Sequence, residues 1–89
     1  MSKIPTEPEK IKVIARAPFH VYYEGEATSV TATNKVGVFD ILPGHADFFS
    51  VLLPGDVVIE NDNPEPIVFP ISNGIVAVRD NEVMLFVNM

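Results

Sequence analysis

Ile75-Val-Ala-Val-Arg79-Asp-Asn-Glu82-Val-Met-Leu-Phe-Val87-Asn-Met89 is the longest stretch of the chain without Pro or Gly. It is therefore where a helix of average length, about 11–12 residues, would have to sit. Its composition argues against one. Arg79-Asp-Asn-Glu82 forms a polar cluster in the middle, and Asn81 suits a left-handed turn position. The flanks Ile75–Val78 and Val83–Val87 are β-branched and aromatic, as strands are. Two strands joined by a tight turn account for the whole stretch.

The same reading extends outward. Eight prolines and five glycines punctuate the sequence. Between them Ile11–Ala15, Phe19–Tyr23, Phe48–Leu53, Val57–Ile59 and Ile67–Phe69 have strand composition, and Glu26–Thr33 is a Thr-rich strand. Glu24-Gly25-Glu26 reads as a tight reversal, and Pro43-Gly44 and Pro54-Gly55 as turns bracketing Phe48–Leu53. Strands this short with turns every 8–12 residues give an all-β fold, a small antiparallel β-sandwich or flattened barrel. Several runs are apolar on both faces, which places strands between two covering sheets. Phe48 and Phe49 are adjacent and point to opposite faces, so one of them stands outside the core and is of the kind that anchors an interface.

The chain has 89 residues, one small domain, with 47% hydrophobic and 20% charged residues, the composition of a folded globule. Residues 1–10, with Pro5 and Pro8, read as a flexible lead-in and 11–89 as the sandwich domain. A net charge of −6 and only six basic residues exclude a nucleic-acid surface, including a base-stacking platform built from the aromatics. The absence of cysteine excludes disulfides, thiol nucleophiles and cysteine-ligated zinc. The start of the chain is neither a signal nor a transit peptide, and no apolar run approaches the roughly 20 residues of a membrane span. The expected location is cytoplasmic, with no direct membrane insertion.

Asp40-Ile-Leu-Pro-Gly-His45-Ala-Asp47 is the one stretch that invites a chemical reading, a His between two carboxylates. Zinc needs three or four converging ligands, and the other histidine, His20, lies in a different segment. The expectation is a turn residue facing solvent or a partner, with no catalytic, cofactor-binding or metal-binding residue. Gly37–Gly44 carries two glycines without a following helix, so no nucleotide cradle is expected either.

Gly37-Val-Phe-Asp-Ile-Leu-Pro-Gly-His-Ala46, then Leu53-Pro-Gly55, then Ile71-Ser-Asn-Gly-Ile-Val-Ala-Val78 and Glu82-Val-Met-Leu85 resemble, in this order and spacing, the epsilon subunit of F-type ATP synthases. The match is to its N-terminal β-sandwich domain and covers roughly Ile11 to Val87, with Tyr23-Glu-Gly25 standing where the family has an aromatic two residues before a glycine. The resemblance implies a non-catalytic rotor part at the foot of the central stalk. Its partners would be the gamma subunit and the polar loops of the membrane c-ring, which holds it at the inner face of the membrane during proton-driven ATP synthesis. By position it assigns the ring-facing loop to Val38, Asp40, Gly44, His45 and Asp47. Asp40 stands where the family usually has Gly and Asp47 where it usually has Pro. The family continues past Met89 into a two-helix hairpin, so no helical inhibition and no nucleotide binding by that hairpin are expected. The alternative is a free-standing protein-interaction module that kept the sandwich and lost the rotor.

Overall fold

A computed structural model describes Lys10–Asn88. Among these residues there are nine strands and no helix. They are β1 (Ile11–Ala17), β2 (His20–Ala27), β3 (Ser29–Asn34), β4 (Gly37–Ile41), β5 (Phe48–Leu52), β6 (Gly55–Glu60), β7 (Ile67–Ile71), β8 (Asn73–Arg79) and β9 (Glu82–Asn88). The strands form two sheets, one of five in the order β2-β1-β9-β8-β5 and one of four in the order β4-β3-β6-β7. Every pairing is antiparallel except β1 with β9, which run parallel from Lys12↔Glu82 to Arg16↔Phe86. The all-β sandwich read from the sequence is present.

One face of each sheet forms the core. Val13 and Ala15, Val30 and Ala32, Val57 and Ile59, Val76 and Val78, and Val83, Leu85 and Val87 alternate inward along their strands and are buried. Burying a Val, Ile or Leu side chain contributes about 1.5–3 kcal/mol, and this repetition is what holds so short a chain together. The two sides of the sandwich are closed differently. On one, Tyr22 of β2 stacks on Phe69 of β7 with ring centroids 4.6 Å apart and planes at 9°. On the other, the Leu53 N–H donates to the Thr33 carbonyl at 2.9 Å and the Asn34 amide donates to Ser50 Oγ at 3.1 Å, so the chain crosses from one sheet to the other there.

Four details differ from the reading of the sequence. Gly25 is no reversal: β2 runs through it, paired with Val13. The interruption lies instead between Ala15 and Arg16, where the register shifts and Tyr22 is left as an extra residue opposite the pair. A bulge of this kind turns neighbouring side chains to one side, and Tyr22 and Tyr23 both pack against the core. The Thr-rich segment is split at Thr28, so its first two residues close β2 and the rest form β3. Gly37–Ile41 is a strand, with Phe39 and Ile41 turned inward. Strand β7 continues through Pro70, which its place at the sheet edge permits because an edge strand need not donate on both sides. The expected lead-in, apart from Lys10, lies outside the described residues.

Two tight turns lie side by side at one end of the sandwich. Asp80 (φ 55°) and Asn81 (φ 65°) are both left-handed between the paired residues Arg79 and Glu82, a two-residue hairpin connection whose twist matches the strands. Pro43 and Gly44 (φ 84°) occupy the centre of a turn closed by the His45 N–H donating to the Leu42 carbonyl at 3.0 Å. Proline first and a left-handed glycine second is the type II arrangement.

Candidate functional site

The strands β8 and β9, apolar at nearly every position, do not lie between two covering sheets. Their inward residues form the core, and their outward residues stand on an open face of the five-stranded sheet. The register aligns that face into rows. Val51, Ile75 and Phe86 follow one another across β5, β8 and β9, and Arg16 continues the row on β1. The next row is Phe49, Ala77, Met84 and Ile14. Phe49 is 64% exposed, Val51 59%, Phe86 43% and Met84 40%. A third row at the hairpin end reads Arg79, Glu82, Lys12 and Glu26, alternating in charge. Of the adjacent phenylalanines, Phe48 packs against the core and Phe49 is the one outside it.

The outer face of the four-stranded sheet differs. Thr31, Thr33, Asp40, Asp56 and Glu60 stand outward there, and the Thr31 hydroxyl donates to Asp40 Oδ1 at 2.7 Å. Val38, Val58, Val68 and Pro70 share that face, so it mixes apolar and carboxylate-bearing positions, whereas on the five-stranded sheet Phe49, Val51, Ile75, Met84 and Phe86 lie together with no carboxylate among them.

The β4–β5 segment joins these surfaces. Val38 projects outward from β4 and is 73% exposed, and Asp40 projects on the same side two residues later. Gly44, His45 and Asp47 lie beyond the end of β4, beside the β8–β9 hairpin. There the Gly44 N–H donates to Asn81 Oδ1 at 3.0 Å, and Asp47 Oδ1 accepts the Asp80 N–H at 3.0 Å. The amide of Asn81 in turn donates to the Lys10 carbonyl at 2.6 Å. His45 is half-buried, its ring edge-on to Phe48 at 5.4 Å and its Nδ1 2.8 Å from the Ala46 carbonyl. A carbonyl only accepts, so Nδ1 carries the proton and donates. No hydrogen bond joins Val38 or Asp40 to Gly44, His45 or Asp47, so the five residues share a segment without converging. Among the described residues no three His, Cys, Asp or Glu side chains are grouped as metal ligands would be, and no helix is long and apolar enough to cross a membrane. The geometry offers surfaces for packing.

A family model described as the ATP synthase delta/epsilon chain β-sandwich domain matches residues 7–89. The chain belongs to this family. Among its relatives, the ATP synthase epsilon chain of Clostridium perfringens is 35% identical over 79 residues, covering 89% of this chain and 59% of the relative. That of Xanthomonas euvesicatoria is 41% identical over 66 residues, covering 74% of this chain and 47% of the relative. This delta/epsilon-type chain therefore spans about half to three-fifths of the length of the curated relatives it matches. Among solved structures, a chain of the Euglena gracilis mitochondrial ATP synthase superposes with a TM-score of 0.84 at 20% identity, over 92% of this chain and 52% of that one. A chain of the central stalk and c-ring assembly of Tetrahymena thermophila gives 0.78 at 23% identity, over 94% and 67%. At these identities the likeness shows the sandwich fold of the delta/epsilon family.

Sequence reasoning did not single out Arg16, Val51, Ile75, Met84 and Phe86 of the open face. Their signal was present. Runs apolar on both faces are what a strand covered twice would show, and among the described residues no second layer lies over β8 and β9.

Proposed function

We propose that the chain is a non-catalytic central-stalk subunit of an F-type ATP synthase, linking the gamma subunit to the membrane c-ring during proton-driven ATP synthesis. The observation that carries this reading is the open apolar face formed by Phe49, Val51, Ile75, Met84 and Phe86. A sheet face of this composition is stable in water only at a cost, and aromatic, Met and Arg residues together are the composition of an interface core. In the proposed role gamma covers it. Membership of the delta/epsilon family and the names of its relatives as epsilon chains support the assignment.

The ring contact is assigned to the β4–β5 segment bearing Val38, Asp40, Gly44, His45 and Asp47. Val38 and Asp40 offer side chains outward from β4. The bonds of Gly44 and Asp47 to the β8–β9 hairpin stiffen the loop that follows, as torque transmission through a densely packed body requires. The protein acts at the inner face of the membrane through these contacts and turns over no substrate.

The test is assembly. Mixed with its cognate gamma subunit, the full chain elutes from size exclusion as a one-to-one complex, and that complex, added to the cognate c-ring, co-sediments with it. Failure to associate with gamma, combined with stable capture of an unrelated protein, would instead identify a free-standing interaction module.

A further inference from the structure

We propose that Arg16 is the specificity-determining residue of the open face and receives a carboxylate, Asp or Glu, from the subunit that packs there; this rests on the gamma-binding reading above. Arg16 closes the row Val51–Ile75–Phe86 and lines a shallow groove together with Pro18, Val51, Ile75 and Phe86. Its cross-strand neighbours are Phe86 on one side and Val21 on the other, both apolar.

The other charges of the face are placed differently. Arg79 lies opposite Glu82, Glu82 opposite Lys12, and Lys12 opposite Glu26, so that row balances itself across four strands. Glu24, the remaining carboxylate, stands opposite Ile14. Among the described residues Arg16 makes no ion pair, although the chain as a whole carries −6.

A partner that covers the apolar row also removes water from the guanidinium. An ion stripped of water and left unpaired costs several kcal/mol, so a stable complex requires a counter-charge over Arg16. The planar guanidinium suits a carboxylate because it can donate two parallel hydrogen bonds. The occupant is therefore an apolar strip of gamma that carries one Asp or Glu. Arg16 rejects surfaces that lack the acid, because they would leave the cation unsatisfied.

The experiment is titration calorimetry of the full chain against its cognate gamma subunit at low and physiological salt, with thermal melts confirming that each exposed-site variant is folded. Arg16→Met, which keeps the apolar stem, should bind about tenfold more weakly or worse and lose most of the salt dependence, and Arg16→Glu about a hundredfold more weakly. Asp56→Asn, on the opposite sheet, should bind as the parent does. Val51→Glu should abolish binding. If both Arg16 variants bind like the parent while Val51→Glu does not, the role of Arg16 is overturned and the gamma-binding face stands. If Val51→Glu also binds normally, or the parent does not bind gamma at all, the reading beneath it fails as well. A dimer of the chain alone that Arg16→Glu dissolves would assign the face to a second copy and overturn the proposal.

Discussion

Asn81 holds Gly44 from 37 residues away, its side-chain oxygen accepting the glycine N–H at 3.0 Å. The same side chain donates to the Lys10 carbonyl at 2.6 Å, and the Asn81 carbonyl accepts the Lys12 N–H at 3.2 Å. One residue in a two-residue turn thereby fastens the start of β1 and the β4–β5 loop to the β8–β9 hairpin. Asn also tolerates the left-handed backbone that the turn demands (φ 65°).

Replacing Asn81 separates these two contributions. Asn81→Ala loses both side-chain bonds and places an L residue without a compensating polar group in the left-handed region. The expected loss is about 2–3 kcal/mol. Asn81→Gly keeps the backbone permitted and loses only the bonds, so about half that loss should remain. Thermal unfolding of the three proteins decides it: a melting temperature for Asn81→Gly equal to that of the parent would show that the side-chain bonds contribute nothing.

Asp47 bears on the same joint. Its Oδ1 accepts the Asp80 N–H, and an amide oxygen can accept that bond as well as a carboxylate oxygen can. Asp47→Asn should therefore change stability by less than about 0.5 kcal/mol, whereas Asp47→Ala should cost about 1 kcal/mol. Denaturant titration of both variants measures the difference. Equal losses in the two would mean that the negative charge, rather than the hydrogen bond, is what Asp47 supplies.

Much of this fold was legible in the sequence because its signals are local. Asp80-Asn81 announces its own turn, Pro43-Gly44 announces another, and β-branched runs announce strands. What was not legible depends on what lies opposite. Gly25 looks like a reversal, yet pairing with Val13 keeps it extended, and the bulge at Tyr22 has no sequence marker. Gly37-Val-Phe-Asp-Ile41 holds three strand formers beside Gly37 and Asp40, which strands disfavour, and becomes β4 because Phe39 and Ile41 find the core. The open face was hidden for a related reason. Ile75, Met84 and Phe86 carry the same composition whether a second sheet or a separate subunit is to cover them. The loop residues Gly44, His45 and Asp47 could be picked out by resemblance, but the attachment of Gly44 to Asn81 and of Asp47 to Asp80 is a long-range contact that no local pattern encodes.

Gly74 offers a steric test of the sheet register. It lies between Leu52 and Val87 in the five-stranded sheet, and a Cβ built on it would stand 2.6 Å from the Phe86 carbonyl oxygen and 3.1 Å from the Val87 Cα. Both are backbone atoms, so relief requires β8 and β9 to separate. Gly74→Ala should cost about 1–3 kcal/mol, and Gly74→Val should cost more. At about 4–8 °C per kcal/mol for a domain of this size, the alanine variant should melt well below the parent. An unchanged melting temperature would show that the β8–β9 pairing is looser than described.

The Tyr22–Phe69 stack is the remaining fastening, and it is the one that joins the outermost strands β2 and β7 of the two sheets. His20 meets Tyr22 edge-on at 4.5 Å, so three rings close this side. Phe69 is almost fully buried, and Phe69→Ala should cost about 3–5 kcal/mol through lost burial and the cavity left behind. Tyr22→Leu keeps much of the apolar contact and removes the ring-on-ring term, for which about 0.5–1.5 kcal/mol is expected. A double-mutant cycle with Tyr22→Leu and Phe69→Leu isolates that term, because leucine fills space at both positions without stacking. A coupling energy of zero would show that the sandwich is closed on this side by burial alone, and the bulge that turns Tyr22 inward would then serve only to fill volume.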